Sequence, residues 1–369
     1  MAKLTEVCDI QYGYAFDSSC FTEDSSFPQL VRIRDVKRGY SETYYNGEYP
    51  DEYILSKGDL LIGMDGEFNI ARWKIDGALL NQRVCKVIAK EGTNDEYIRF
   101  FLLKRLKNIE KRTSFATVKH LSAKEINKIE IDMPQISRQE IIAGILFKIE
   151  KIIEARKQEL KCLDELIKAR FVEMFGDPVS NSYGLPEATL PELGEFGRGV
   201  SKHRPRNDPQ LLGGKYPLIQ TGDIANADLF ISAYTSTYSE MGLKQSKMWS
   251  KGTLCITIAA NIAKTAILEF DACFPDSVVG FNANEKTNNI FIHYWFSFFQ
   301  AILEAQAPES AQKNINVKIL SELKIILPDK GKQDEFVEFI KQIDKSKVAV
   351  QKALDEAQLL FDSLMQEYF

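Results

Sequence analysis

A chain of 369 residues with 44% hydrophobic content is long enough for two cored domains. Its formal net charge of -5 excludes a protein that coats nucleic acid by bulk electrostatics, so any DNA contact must come from local patches of Lys and Arg. Six cysteines without a C-x-x-C pair fit buried, reduced thiols rather than a disulfide or zinc framework. The opening MAKLTEVCDIQYG lacks an apolar signal core, and no stretch approaches the roughly 20 apolar residues of a membrane span, so a soluble cytoplasmic protein is expected.

In chain order, residues 1–134 read as a β-rich domain carrying LVRIRDV (Leu30 to Val36), KGDLLI (Lys57 to Ile62) and ALLNQRV (Ala78 to Val84). The next segment, 135–176, changes rhythm. Ile142, Leu146, Ile149, Ile153, Arg156, Leu160, Leu163, Ile167, Arg170 and Met174 step by alternating fours and threes, the heptad spacing of a coiled-coil seam. A capping box, Ser137-Arg-Gln-Glu140, and a stop at Gly176 and Pro178 predict a helix from Ser137 to Phe175. A turn-rich linker, 177–189, leads to a second domain, 190–328, and a second helical segment, 329–369. The second seam is Phe336, Ile340, Ile343, Lys347, Val350, Leu354, Ala357, Phe361, Leu364 and Tyr368, in phase with the first but without an equally good cap.

The short linker favours an antiparallel helix pair. A helix of about 37 residues rises about 55 Å, enough to space two domains, although an ordinary interdomain coiled coil fits the periodicity equally well. Ile141, Ile145, Ile152, Leu166 and Phe171, with Phe339 and Leu359, lie off the seam and imply packing against either the domains or partner helices.

The second half repeats the first. KGDLLI recurs as KGTLCI (Lys251 to Ile256), 194 residues on. ALLNQRV matches ACFPDSV (Ala272 to Val278) at that offset, and HLSAKEINKIEIDMP, ending at Pro134, matches NINVKILSELKIILP, ending at Pro328. Gln139-Glu140 falls opposite Gln333-Asp334, whereas LVRIRDV matches LIQTGDI (Leu218 to Ile224) at 188, so intervening loops differ. The expected fold class is α+β: two similar mixed α/β, β-rich domains separated by two long helices forming an antiparallel coiled coil. Two similar modules suit a ligand with two similar halves, DNA being the obvious one; a duplication kept only for stability is the plainer alternative.

QYGYAF (Gln11 to Phe16), LVRIRDV, KGDLLIGMDGEF (Lys57 to Phe68) and LLNQRV resemble the first target-recognition domain of type I restriction-modification specificity subunits. RGVSKHRPRN (Arg198 to Asn207) and YPLIQTGDI (Tyr216 to Ile224) resemble the second. The resemblance, helices included, covers nearly the whole chain. It implies that each domain reads one half of an asymmetric bipartite site on double-stranded DNA, and that two modification (methyltransferase) subunits dock on the chain, joined by restriction subunits when present. It further implies that S-adenosylmethionine, ATP and Mg are held by those partners and that this chain binds no cofactor and no membrane.

Candidate DNA contacts follow from residue type. Arg32, Arg34, Lys37 and Arg38, at the end of an expected strand, offer cations that hold phosphate or pair bidentately with guanine. Lys202, His203, Arg204 and Arg206 form a denser basic loop stiffened by Pro205 and Pro209. Gln220 and Thr221 fall opposite Arg32 and Ile33 in the repeat and suit base edges. The expected loop from Gly63 to Trp73 carries Asn69 and Arg72, and its counterpart carries Asn261 and Lys264. A solvated charged face or a plain hairpin is the simpler reading of each group, and it is preferred for the cations of Lys104 to Arg112.

Catalytic signatures are missing: no methylation motif of the Asn/Asp-Pro-Pro-aromatic type, no G-x-x-x-x-G-K-[ST] loop, and no metal spacing among His120, His203 and His293. FGRG (Phe196 to Gly199) faintly suggests a cofactor turn, and PDKGK (Pro328 to Lys332) reads as a domain-to-helix turn. The expectation is a non-catalytic specificity subunit; the alternatives are a stand-alone DNA nuclease or methylase, or a coiled-coil scaffold.

Overall fold

The computed structural model describes residues 1–112, 119–259, 262–306 and 315–369. The chain divides into two compact units, Met1–Gln158 with Gln351–Phe369, and Glu159–Val350. Each unit therefore takes one β-rich module with part of each long helix. This cuts across the segments read from the sequence, because a helical seam is buried only where its partner lies.

The first module runs β1 (Cys8–Tyr12), β2 (Leu30–Val31), β3 (Ile54–Leu55), β4 (Leu60–Gly63), β5 (Asn69–Arg72), β6 (Ala78–Leu80), β7 (Val84–Ala89) and α1 (Asp95–Arg112), and the long helix α2 (Ile136–Phe175) follows. One sheet has the order β1-β7-β4-β5, with antiparallel pairs throughout. A second has the order β2-β6-β3, in which β2 runs parallel to β6. Both are short-stranded and apolar: Val31, Leu61, Leu80 and Val84 are wholly buried around Trp73.

The second module runs β8 (Gly194–Arg198), β9 (Leu212–Leu218), α3 (Thr221–Asn226), β10 (Phe230–Ile231), β11 (Ser236–Tyr238), β12 (Met248–Trp249), β13 (Leu254–Thr257), β14 (Thr265–Leu268), β15 (Ala272–Cys273), β16 (Val278–Ala283) and α4 (Asn289–Gln306), before the last helix α5 (Lys330–Tyr368). Its two larger sheets are β8-β16-β13-β14-β10 and β11-β9-β15-β12. The parallel pair recurs: Leu218 opposes Cys273 as Leu30 opposes Leu79. These are the offsets of 188 and 194 seen in the sequence, now as strand register. The KG turns repeat as well, with Gly58 at φ 99° and Gly252 at φ 92°, a conformation that glycine adopts without a Cβ penalty.

Both long helices are clasped at their start by a buried glutamine. Gln139 donates to the Pro134 carbonyl (2.8 Å) and accepts from the Asn94 amide (2.9 Å). Gln333, 194 residues on, donates to the carbonyls of Pro328 (2.9 Å) and Lys286 (3.1 Å) and accepts from Thr287 Oγ1 (2.8 Å). The expected capping box at Ser137 is not a cap, since α2 already begins at Ile136 and the amides of Arg138 and Gln139 reach back to the Gln135 carbonyl. The second helix is the one with a side-chain cap: Asp329 Oδ1 accepts from the Gly331 amide at 2.9 Å, which corrects the expectation of a poorer start.

Within each unit the two helices run antiparallel. In the first, Arg138 near the start of α2 lies over the ring of Tyr368 near the end of α5. In the second, Arg170 near the end of α2 pairs with Glu335 near the start of α5 at 3.0 Å. Seam residues Leu146, Ile167, Phe336 and Ile340 are buried. Of the off-seam residues, Phe171 is fully buried with Phe175 in the second module's core and Phe339 packs against it, whereas Ile141, Ile145, Ile152, Leu166 and Leu359 are exposed. Cys8, Cys85, Cys255 and Cys273 are buried, and burial pushes Cys8 and Cys85 up to about 12. Cys162 departs from the expectation of buried thiols, being exposed on α2 away from the seam.

Replacing Gln333 with Ala would leave Thr287 and two carbonyls without their partner, and should lower stability by about 1–3 kcal/mol. Urea denaturation tests this; an unmoved midpoint would show that the clasp contributes nothing.

Candidate nucleic-acid interface

In the first module the parallel pair β2/β6 decides what comes together. Because Val31 opposes Leu80, the chain beyond each strand emerges on the same side, and Arg32 meets the turn Asn81-Gln82-Arg83. The strand ends at Val31, sooner than the sequence suggested. Arg32 caps a 3-10 turn, Ile33–Asp35, closed by the buried Asp35 carboxylate, which accepts from the Arg32 amide (3.1 Å) and from Ser41 Oγ (2.9 Å). With Asp35 and Val36 turned inward, Arg32, Arg34, Lys37 and Arg38 are exposed beside Tyr40. Lys37 pairs with Glu67 and Arg38 lies 3.8 Å from Glu42, both in solvent and therefore weakly held. A cleft at this edge is lined by Arg32, Arg34, Asn81, Gln82 and Arg83.

The second module builds its basic surface differently. The turn equivalent to 81–83 is Pro275-Asp276-Ser277, and Asp276 takes the cations: Arg204 Nη2 at 3.3 Å, and Arg206, with Arg198 donating to its backbone carbonyl. Gln245 Oε1 accepts from the amides of Lys202 (2.6 Å) and His203 (3.0 Å), and His203 pairs with Asp208 at 3.0 Å. Lys202, His203, Arg204 and Arg206 are all exposed on this braced loop. Gln220 occupies Arg32's place: its amide donates to Asp223 Oδ2 (2.8 Å), and its side chain reaches Ser236 Oγ (3.3 Å) from an exposed position beside Thr221.

Two modules with one strand plan and different polar residues at one turn match a known pattern. The family described as the type I restriction modification DNA specificity domain matches residues 1–162 and 187–357. The chain belongs to this family. It is 27% identical over 394 residues to the type I restriction enzyme EcoBI specificity subunit of Escherichia coli, covering 99% of this chain and 83% of that one. Its fold is similar to the crystal structure of the type I restriction-modification S subunit from M. genitalium, with TM-score 0.60, 14% identity and coverage of 100% and 95% of the two chains. It is also similar to a chain from a structure on complex assembly and conformational transition of the type I R-M system, with TM-score 0.56, 17% identity and coverage of 100% and 96%.

Within these specificity domains, other expected residues lie elsewhere. Asn69 and Arg72 sit on strand β5 rather than in a loop. Asn69 is buried and donates to the Glu67 carbonyl (3.1 Å), and Arg72, part-exposed, is held by Asp95 (2.6 Å), Glu96 and the Gly58 carbonyl (2.7 Å). Asn261 lies outside the described residues. Lys264 lines a separate cleft in the second unit with Asp228 and His293, not the basic loop. Sequence reading missed Arg83, Asp276 and Gln245. The first two stand in the aligned ALLNQRV and ACFPDSV motifs, which marked the place but not the roles. FGRG ends strand β8, and its Gly199 has a structural role: a Cβ there would come 2.4 Å from the Pro275 carbonyl oxygen, as one on Gly13 of QYGYAF would come 2.0 Å from that of Asn81. In both modules this glycine lets the first strand's end nest against the turn.

Burial pushes the His293 imidazole down to about 4; Lys347 pushes the same way and Asp228 opposes. The unfolded chain, with its ordinary histidine value of 6.5, then binds more protons between about 4 and 6.5, so this contribution to stability is complete above pH 6.5 and lost as pH falls toward 4. His293→Gln should flatten that part of the stability profile; an unchanged slope would overturn the assignment. Asp276→Ala releases half-exposed pairs and should cost less than about 1 kcal/mol, yet weaken DNA binding because Arg204 and Arg206 lose their fixed orientation. A large loss of stability with unchanged DNA affinity would make Asp276 purely structural.

Proposed function

We propose that this chain is the DNA-specificity subunit of a type I restriction-modification system, in which each β-rich module reads one half of an asymmetric two-part site. The observation that carries this reading is the doubled module: identical parallel registers at Leu30/Leu79 and Leu218/Cys273 present different polar residues at an equivalent turn. Exposed cations such as Lys37, Arg38 and Lys202 supply sequence-independent phosphate contacts, and the residues at the turn supply sequence. The division suits a chain whose net charge is -5, since attraction to DNA is confined to these edges.

Chemistry in this reading belongs to the partners. Two modification subunits bind S-adenosylmethionine and methylate; restriction subunits, when present, use ATP and Mg; this chain is non-catalytic, binds no cofactor and works in the cytoplasm. The exposed Ile141, Ile145, Ile152, Leu166 and Leu359 offer apolar helix surface for such partners. Among the described residues no helix is long and apolar enough to cross a membrane.

Exchanging Leu190 to Pro328 for the matching segment of a relative should change one half of the methylated motif and spare the other, as read by methylome sequencing of cells carrying the full system. Both halves altered, or neither, would refute one half-site per module. Methyl transfer by the rigorously purified chain alone would establish the alternative of a stand-alone enzyme.

A further inference from the structure

The cleft beside Arg32 in the first unit has properties that phosphate attraction does not require. Asn81, 7% exposed, lies in it with a side-chain oxygen that has no hydrogen-bond partner. An unpaired buried acceptor costs on the order of 1–3 kcal/mol, a cost that a donor arriving with a ligand in the cleft would relieve. Arg83, at the rim, holds φ 72°, rare for a residue with a side chain. Its guanidinium stays half exposed, steered by Asp65 at 3.6 Å and His120 Nδ1 at 3.2 Å. Arg32 forms no ion pair among the described residues, and Gln82 is exposed beside it. Phe16 and Phe21 wall the cleft.

Resting on the reading of this module as a DNA-recognition domain, we propose that the turn Asn81-Gln82-Arg83 is its base-reading element, and that Arg83, with Arg32 beside it, reads a guanine through the major-groove edge. The chemistry is specific. Guanine presents two acceptors, O6 and N7, side by side in the major groove, and a guanidinium presents two donors at matching spacing, whereas adenine puts a donor in place of O6. Gln82, an amide, suits a neighbouring adenine, for which one donor and one acceptor are needed. The second module strengthens the assignment. At the same address, set by the same glycine contact and parallel register, stand Gln220 and Pro275-Asp276-Ser277, with no arginine in the turn itself. There the turn's carboxylate braces Arg204 and Arg206 from another loop. A position with fixed backbone and exchanged chemistry is where two modules reading different sequences must differ.

The test uses the full chain with its partner subunits in cells, read by methylome sequencing, and DNA binding by the purified complex. Arg83→Gly removes the side chain while accommodating the positive φ without steric cost. It should lower discrimination at one guanine of one half-site by about ten- to a hundredfold, while the other half-site, read as before, shows that the complex is folded and active. An unchanged motif would overturn the proposal. So would binding weakened equally on all sequences with a salt slope smaller by about one, the signature of a phosphate contact. If Arg83→Gly abolishes methylation altogether, Arg32→Ala, outside the strained turn, decides: relaxation at one base supports the proposal and an unaltered motif overturns it. A wild-type complex without any two-part motif would instead remove the proposed function on which this inference rests.

Discussion

One parallel pairing in each module governs the rest. Antiparallel neighbours put the end of one strand beside the start of the next, but β2 on β6, and β9 on β15, send both chains out of the sheet on one side. That is why residues some 50 positions apart in sequence, Arg32 and Arg83, share a cleft. The remaining architecture holds this edge still. A glycine nests against the turn, a buried or intermediate aspartate closes the neighbouring helical turn on the Arg32 or Gln220 amide, and an apolar core lies directly behind.

From that shared frame the modules diverge in how they place positive charge. The first puts arginines in the turns themselves. The second puts an acidic residue in the turn and lets it collect arginines from a loop that Gln245 also fastens by two amides. In both, the side-chain ion pairs are partly exposed, so they orient more than they stabilise. A protein of net charge -5 meets a polyanion best where its bases are gathered on one surface, and Asp276 holds Arg204 and Arg206 together there.

The long helices obey a separate constraint. Their seams must be buried, and a buried glutamine at each start, Gln139 or Gln333, ties the seam's phase to the adjoining module through backbone carbonyls and amides. Lys347 interrupts the second seam and is kept charged by Asp164 and Asp228, whose pull outweighs the desolvation that opposes it. A polar residue at a seam position disfavours shifted registers, because any shift strands its charge.

Sequence alone determined the duplication, the helix spans to within a residue or so, and the α+β class, because these depend on periodicity and on offsets that survive in the order of residues. Offsets of 188 and 194 proved to be strand registers. It also marked the basic segments at 32–38 and 202–206, since runs of cations are visible one residue at a time. Tertiary structure alone decided which polar groups remain available. Arg72 and Arg83 are the same residue type in neighbouring motifs, yet the first is held by two carboxylates and a carbonyl while the second reaches a cleft. Asp276 carried no assignment in the sequence, because its arginine partners lie some 70 residues away. Partners that distant carry no local spacing, so only the folded sheet, by setting who stands opposite whom, could assign these roles.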